Sequence, residues 1–181
     1  MNARTSTVLC DLLFTIVLIL ILLPHGAETQ ADDPPLLGDV VMEATWPGDV
    51  DVDLWVRGPG YAAVGYSARQ SRIASLLLDD LGHIPVDPHR EIVVIHTASD
   101  GAYVANVHLF RGTAATVQVT LWRRSSGQLE AFWTGTLQLG HRQEATAIRW
   151  QMVGREIIPG SERFDFVSVR GERPYSGSTM P

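Results

Sequence analysis

The chain has 181 residues, 45% of them hydrophobic and 19% charged, with a formal net charge of −6. That size holds one domain with short additions, and the apolar content sets the chain apart from disordered tails. The acidic balance argues against a nucleic-acid surface, and all 14 basic residues are arginine, which excludes Schiff-base and phosphate-loop lysine chemistry.

The single cysteine, Cys10, leaves neither an intrachain disulfide nor a multi-cysteine metal site. Just after it, residues 12–23 read LLFTIVLILILL, with Thr15 the one polar interruption, and Pro24 follows. An apolar run of this length fits the core of a cleaved signal peptide, for which Thr29-Gln30-Ala31 offers a small-residue cleavage site. A lipoprotein signal is excluded, because Cys10 stands before the run instead of after it. An uncleaved anchor needs about 20 residues, which residues 5–24 supply only with Asp11 inside the membrane. A carboxylate at that depth costs roughly 2.5–3.5 kcal/mol and marks an ion pathway or a partner contact. Thr7, Asp11 and Thr15 stand at i, i+4 and i+8 and share one helix face, a polar stripe suited to a protein partner or water. Arg4 before the run, and Glu28, Asp32 and Asp33 after it, place the N-terminus in the cytoplasm and the remainder outside.

The string Asp11-LLFTIVLILILL-Pro24 resembles the single helix of the TolR/ExbD/MotB subunits of ion-driven motors. The resemblance implies a short cytoplasmic N-terminus and one transmembrane helix over residues 1–24, set in a bacterial inner membrane with the rest in the periplasm. It further implies Asp11 as the ion-carrying carboxylate, Thr15 as its polar neighbour, a pentameric multi-span membrane partner and a homodimer of this chain. The function expected on that basis is a membrane-anchored subunit of a proton- or sodium-driven, energy-transducing complex. The alternative is an exported or signal-anchored β-sandwich binding module with no ion-translocating role.

Residues 25–37 are polar and broken by Pro34-Pro35, a tether that reaches roughly 40 Å when extended. Beyond it the hydrophobic period becomes two. Strands are predicted over 40–46, 50–56, 61–66, 73–78, 91–97, 103–109, 117–121, 129–139 and 144–152. Pro47-Gly48, Gly58-Pro59-Gly60, Ser99-Asp100-Gly101 and Ser125-Ser126-Gly127 supply turns between them. No stretch after Pro24 carries a helical stripe of ten residues. About eight short strands over residues 38–152 predict an all-β chain, an antiparallel, immunoglobulin-like β-sandwich behind one N-terminal transmembrane helix. Trp46, Trp55, Trp122, Trp133 and Trp150 all fall within it and are expected to anchor its core and cross-strand pairs. Residues 153–181 form an extension in which 164–169 (FDFVSV) alternates like an extra strand, and the last residues are expected to be disordered.

The segment from Trp46 through DVDLWVRGPG, then Leu78-Asp79-Asp80, then Glu91-IVVIHTASDG-Ala102-Tyr103-VANVHLF is similar to a bacterial β-sandwich family of exported proteins with no assigned function. That resemblance implies a fold and no chemistry. Asp49, Asp51 and Asp53 alternate along one strand and, with Asp79, Asp80 or Asp87, offer oxygens for a Ca²⁺ site. Otherwise they solvate the strand's outer face, with Asp53 capping a turn. The six histidines show no metal-ligand spacing, and no G-x-S-x-G elbow is present. No enzymatic activity and no cofactor are expected of the exported part, and its periplasmic partner is not specified.

Overall fold

Alternation along Val40–Trp46 builds the first strand, β1, and eight more strands follow it among the described residues. The computed structural model describes residues 38–82 and 87–170. The predicted transmembrane helix, Asp11, Thr15 and the tether lie outside the described residues, as do 83–86 and 171–181. After β1 come β2 (Asp51–Arg57), β3 (Ala74–Leu78), β4 (His89–Ile95), β5 (Gly101–Arg111) and β6 (Ala114–Ser125). β7 (Gln128–Gly140), β8 (Glu144–Val153) and the two-residue β9 (Glu156–Ile157) complete the set. They form two antiparallel sheets, ordered β3-β4-β1-β6-β7 and β2-β5-β8-β9. The described residues are all-β, with no helix among them.

The turns follow from backbone chemistry. Ser126 and Gly127 both take positive φ, 50° and 86°, between the paired Ser125 and Gln128. Two such residues make the hairpin turn whose twist matches the flanking strands. Gly154 and Arg155 repeat the device between β8 and β9. Arg155 tolerates its positive φ while its guanidinium holds Asp39 across the chain.

Two predicted strands do not form. Residues 61–66 make only isolated bridges, Val56 with Val64 and Gly65 with Ala68. Gly65 lies so close to the Trp55 ring that a Cβ would come within 2.5 Å of it, so the segment folds over that ring. Residues 164–169 likewise form no strand, although Arg163 bridges Arg149 just before them. Their side chains divide between solvent (Phe164 and Phe166) and the outer face of the β2-β5-β8 sheet (Val167 and Val169).

Both sheets contribute to one apolar core, in which Met42, Trp46, Leu121, Leu54, Leu109, Tyr103 and Trp150 are buried. Trp150 stacks on Tyr103 with ring centroids 5.3 Å apart and planes 17° from parallel. Tyr103 is fixed in turn, its hydroxyl donating to Ser99 O and accepting from Ser99 N–H. Trp150→Ala is expected to cost about 3–5 kcal/mol, lowering the melting temperature by roughly 10 °C in a thermal scan followed by near-ultraviolet circular dichroism.

Candidate functional site

The even residues of β2, Val52, Leu54 and Val56, enter the core, so Asp51, Asp53, Trp55 and Arg57 belong to the opposite face of its sheet. That face is not solvated. Asp51 is 5% and Asp53 4% exposed, and all seven residues of β2 are buried. Pairing aligns Asp53 with His108 of β5 and His108 with Glu144 of β8, a polar row across three strands. The next row is Trp55, Asn106 and Thr146.

The C-terminal segment straps this face down. Asn106 Nδ2 donates to Glu144 Oε1 at 2.7 Å and to Val167 O at 2.8 Å. Val167 N–H donates to Thr146 Oγ1 at 3.0 Å, and Arg170 Nε donates to Glu144 Oε2 at 3.3 Å. Beneath the strap, Trp55, Ala63, Val104 and Val169 form a small apolar cluster. His108 Nδ1 lies 2.9 Å from Asp53 Oδ2 and 3.1 Å from Arg170 Nη1. One ring nitrogen serves one of them at a time. With a hydrogen it donates to Asp53, and without one it accepts from Arg170. Burial raises the Asp53 carboxyl above its ordinary range, against the pull of His108 and Arg170, and the Asp79 charge pushes the same way as burial.

A second acid is buried more completely. Glu91 stands on β4 in register with the inward-facing Val93 and Ile95, and it is 0% exposed. Its Oε2 accepts the Leu54 N–H at 2.7 Å, capping the edge of β2 from the opposite sheet. Glu91 also bonds the Asp79 side chain, whose Oδ2 is held by Arg69 Nη1 at 2.6 Å. No donor reaches Glu91 Oε1 or Asp79 Oδ1. Two acceptors in contact need a proton between them. Burial pushes the Glu91 carboxyl up to about 10, with Asp53 and Asp79 adding to it against the Leu54 amide, so Glu91 keeps its proton at neutral pH and donates it to Asp79.

Nearby, Asp80 Oδ2 is 3.0 Å from His89 Nδ1, and His89 stacks on Trp46. Burial would raise Asp80, but the Gly82 amide and His89 outweigh it and hold the carboxyl below its usual range. Asp39 is held low in the same way, burial being outweighed by Arg155 and the Ala98 amide.

The sequence-predicted residues are therefore divided. Asp49 is exposed and pairs with Arg111 at 3.0 Å, while Asp51 and Asp53 are buried with β2. Among the described residues no three acidic, histidine or cysteine side chains are placed to hold a metal ion. Asp11 and Thr15 lie outside the described residues. Sequence reasoning did not bring together Glu91, Asp79, His108, Asn106, Glu144 and Arg170. The parity of β4 carried a signal for Glu91, which occupies an inward position in a run of β-branched residues. What the arrangement does is hold the buried Glu91 carboxyl against the partly exposed Asp79 and lock a C-terminal strap over a sheet.

In comparison with known proteins, the chain matches no family model, no curated protein and no solved structure.

Proposed function

We propose that this chain is an exported β-sandwich module of immunoglobulin-like class, held at a bacterial inner membrane by its N-terminal apolar run and binding or anchoring a periplasmic partner. The observation that carries this reading is the order of parts along the chain: an uninterrupted aliphatic stretch over 12–23, a proline-broken tether, then two sheets whose buried polar groups are largely committed to internal contacts. An arrangement of that kind presents a surface, and its interior acids serve the fold.

A second reading is favoured by the polar stripe of Thr7, Asp11 and Thr15. In it the helix sits against a multi-span partner, and Asp11 alternates between protonated and charged forms as that partner moves past. The module then transmits or anchors force outside the membrane. Two measurements separate the readings. A mature chain beginning near Asp32, seen by intact mass, removes Asp11 together with the apolar run, which ends both the motor reading and the membrane hold and leaves a released exported module. If the full chain is retained, Asp11→Asn should abolish complementation of a deletion strain while co-purification with the membrane partner persists. Full complementation by Asp11→Asn returns the helix to a plain anchor.

A further inference from the structure

Each sheet edge carries backbone donors and acceptors that invite another strand, and proteins blunt such edges. Three of the four edges here are managed by the chain itself. The outer side of β3 is paired by residues 69–71, through Leu76 N–H to Arg69 O and Ser71 N–H to Ala74 O, both 2.8 Å. The outer side of β2 is closed by the reciprocal bonds between Val56 and Val64 and by the Glu91 carboxyl on Leu54. Along β8, the two residues of β9 are followed by Ile158 on Gln151 and Arg163 on Arg149. The fourth edge is β7, 13 residues long, and among the described residues no backbone segment pairs with its outer side.

Apart from a one-residue slip in its pairing with β6 at Phe132, β7 carries little of the usual protection. It contains no proline, and Glu130 is its only charged residue. Residues 131–140, AFWTGTLQLG, are uncharged, and Arg142 follows just beyond the strand. The edge thus runs from a negative end through a neutral middle to a positive end. Two such edges laid antiparallel about a twofold axis place Glu130 of each beside the Arg142 end of the other. The uncharged middles then meet with no like-charge contact. Both groups reach solvent, though each already has an intrachain contact: the Glu130 side chain is 51% exposed and lies 3.6 Å from Arg123, and the exposed Arg142 has its guanidinium 5.5 Å from the centre of the Phe110 ring.

We infer that β7 is a docking edge that pairs antiparallel with β7 of a second copy of this chain, joining two five-stranded sheets into one. The backbone supplies the affinity and the two end charges set the direction, as in other recognition by strand addition.

The test uses the full chain in detergent with Cys10→Ser, so that the introduced cysteine is the only one. Thr134→Cys, Thr136→Cys and Gln138→Cys are made singly on β7, and Leu77→Cys on β3, where the side chain is 47% exposed, serves as the control. With a short bismaleimide, at least one β7 position should yield tenfold more crosslinked dimer than Leu77→Cys. Arg142→Glu should lower that yield roughly three- to fivefold, and adding Glu130→Arg to it should restore the yield, with circular dichroism unchanged throughout. Equal crosslinking at β3 and β7 overturns the inference. So does a yield indifferent to the charge swap, or crosslinking at β7 that appears only once residues 171–181 are deleted, since the chain's own tail would then be the occupant.

Discussion

Glu91→Gln should leave the fold intact and make it more stable than the unaltered chain at pH 8, with the difference closing as the pH falls toward 5. The folded Glu91 carboxyl is lifted by burial, and further by Asp53 and Asp79, to about 10. In the unfolded chain it titrates near 4.3. Between those values the folded state binds more protons than the unfolded one, so this group's contribution falls as the pH rises. From pH 5 to pH 8 the loss is up to about 4 kcal/mol. Glutamine does not titrate, yet it keeps both contacts: its oxygen accepts the Leu54 N–H and its amide donates to Asp79. Asp39 and Asp80, both held low, act in the opposite sense. Their stabilisation is present above the ordinary carboxylate range and is lost in acid. The measurement is therefore the difference between variant and parent in urea unfolding across pH 5–8, in which those shared terms cancel. Parallel pH profiles for the two proteins would show that Glu91 carries no buried proton.

Asn106→Asp should be the most damaging single change on the strapped face, costing about 3–5 kcal/mol at pH 7. Asn106 is 0% exposed, and its amide donates both to the Glu144 carboxylate and to the Val167 carbonyl. Aspartate withdraws both donors and sets a second carboxylate beside the first, where little water reaches either. Asn106→Ala, which removes the donors without adding charge, should cost about 1–3 kcal/mol. Both variants should loosen the segment that crosses Trp55 and Val104. Hydrogen exchange is the direct check: the Val167 and Val169 amides should exchange faster in either variant, while core amides of β1 and β6 change less in Asn106→Ala than in Asn106→Asp. Unchanged exchange at Val167 would mean the strap is held by Arg163 and Arg170 without Asn106.

Much of the sheet architecture was legible one residue at a time. β1 falls on 40–46 as the alternation predicts, and Ser126-Gly127 turns where the strand pattern breaks. The strand expected over 91–97 lies instead at His89–Ile95. Its start is set by pairing with Trp46 and by the contact of His89 with Asp80, neither of which is local. The segment over 61–66 has the hydrophobicity of a strand, but Gly65 lets it collapse onto Trp55. The FDFVSV stretch alternates as a strand would, yet its backbone bonds go to Thr146 and Asn106 side chains instead of to a ladder.

By itself, the sequence determined that the described residues from 38 to 170 are all-β, because period-two alternation and turn residues act within a few positions. It also determined where the apolar run lies and which acid stands at its start. Only the tertiary structure decided which acids leave water. Asp53 reads as a surface residue until residues more than 100 positions later cover its face, and Glu91 keeps its proton because the fold buries it and sets Asp53 and Asp79 near it, in opposition to the Leu54 amide. A side chain's ionisation depends on the dielectric and the partners around it, and those are assembled by contacts that no local pattern records.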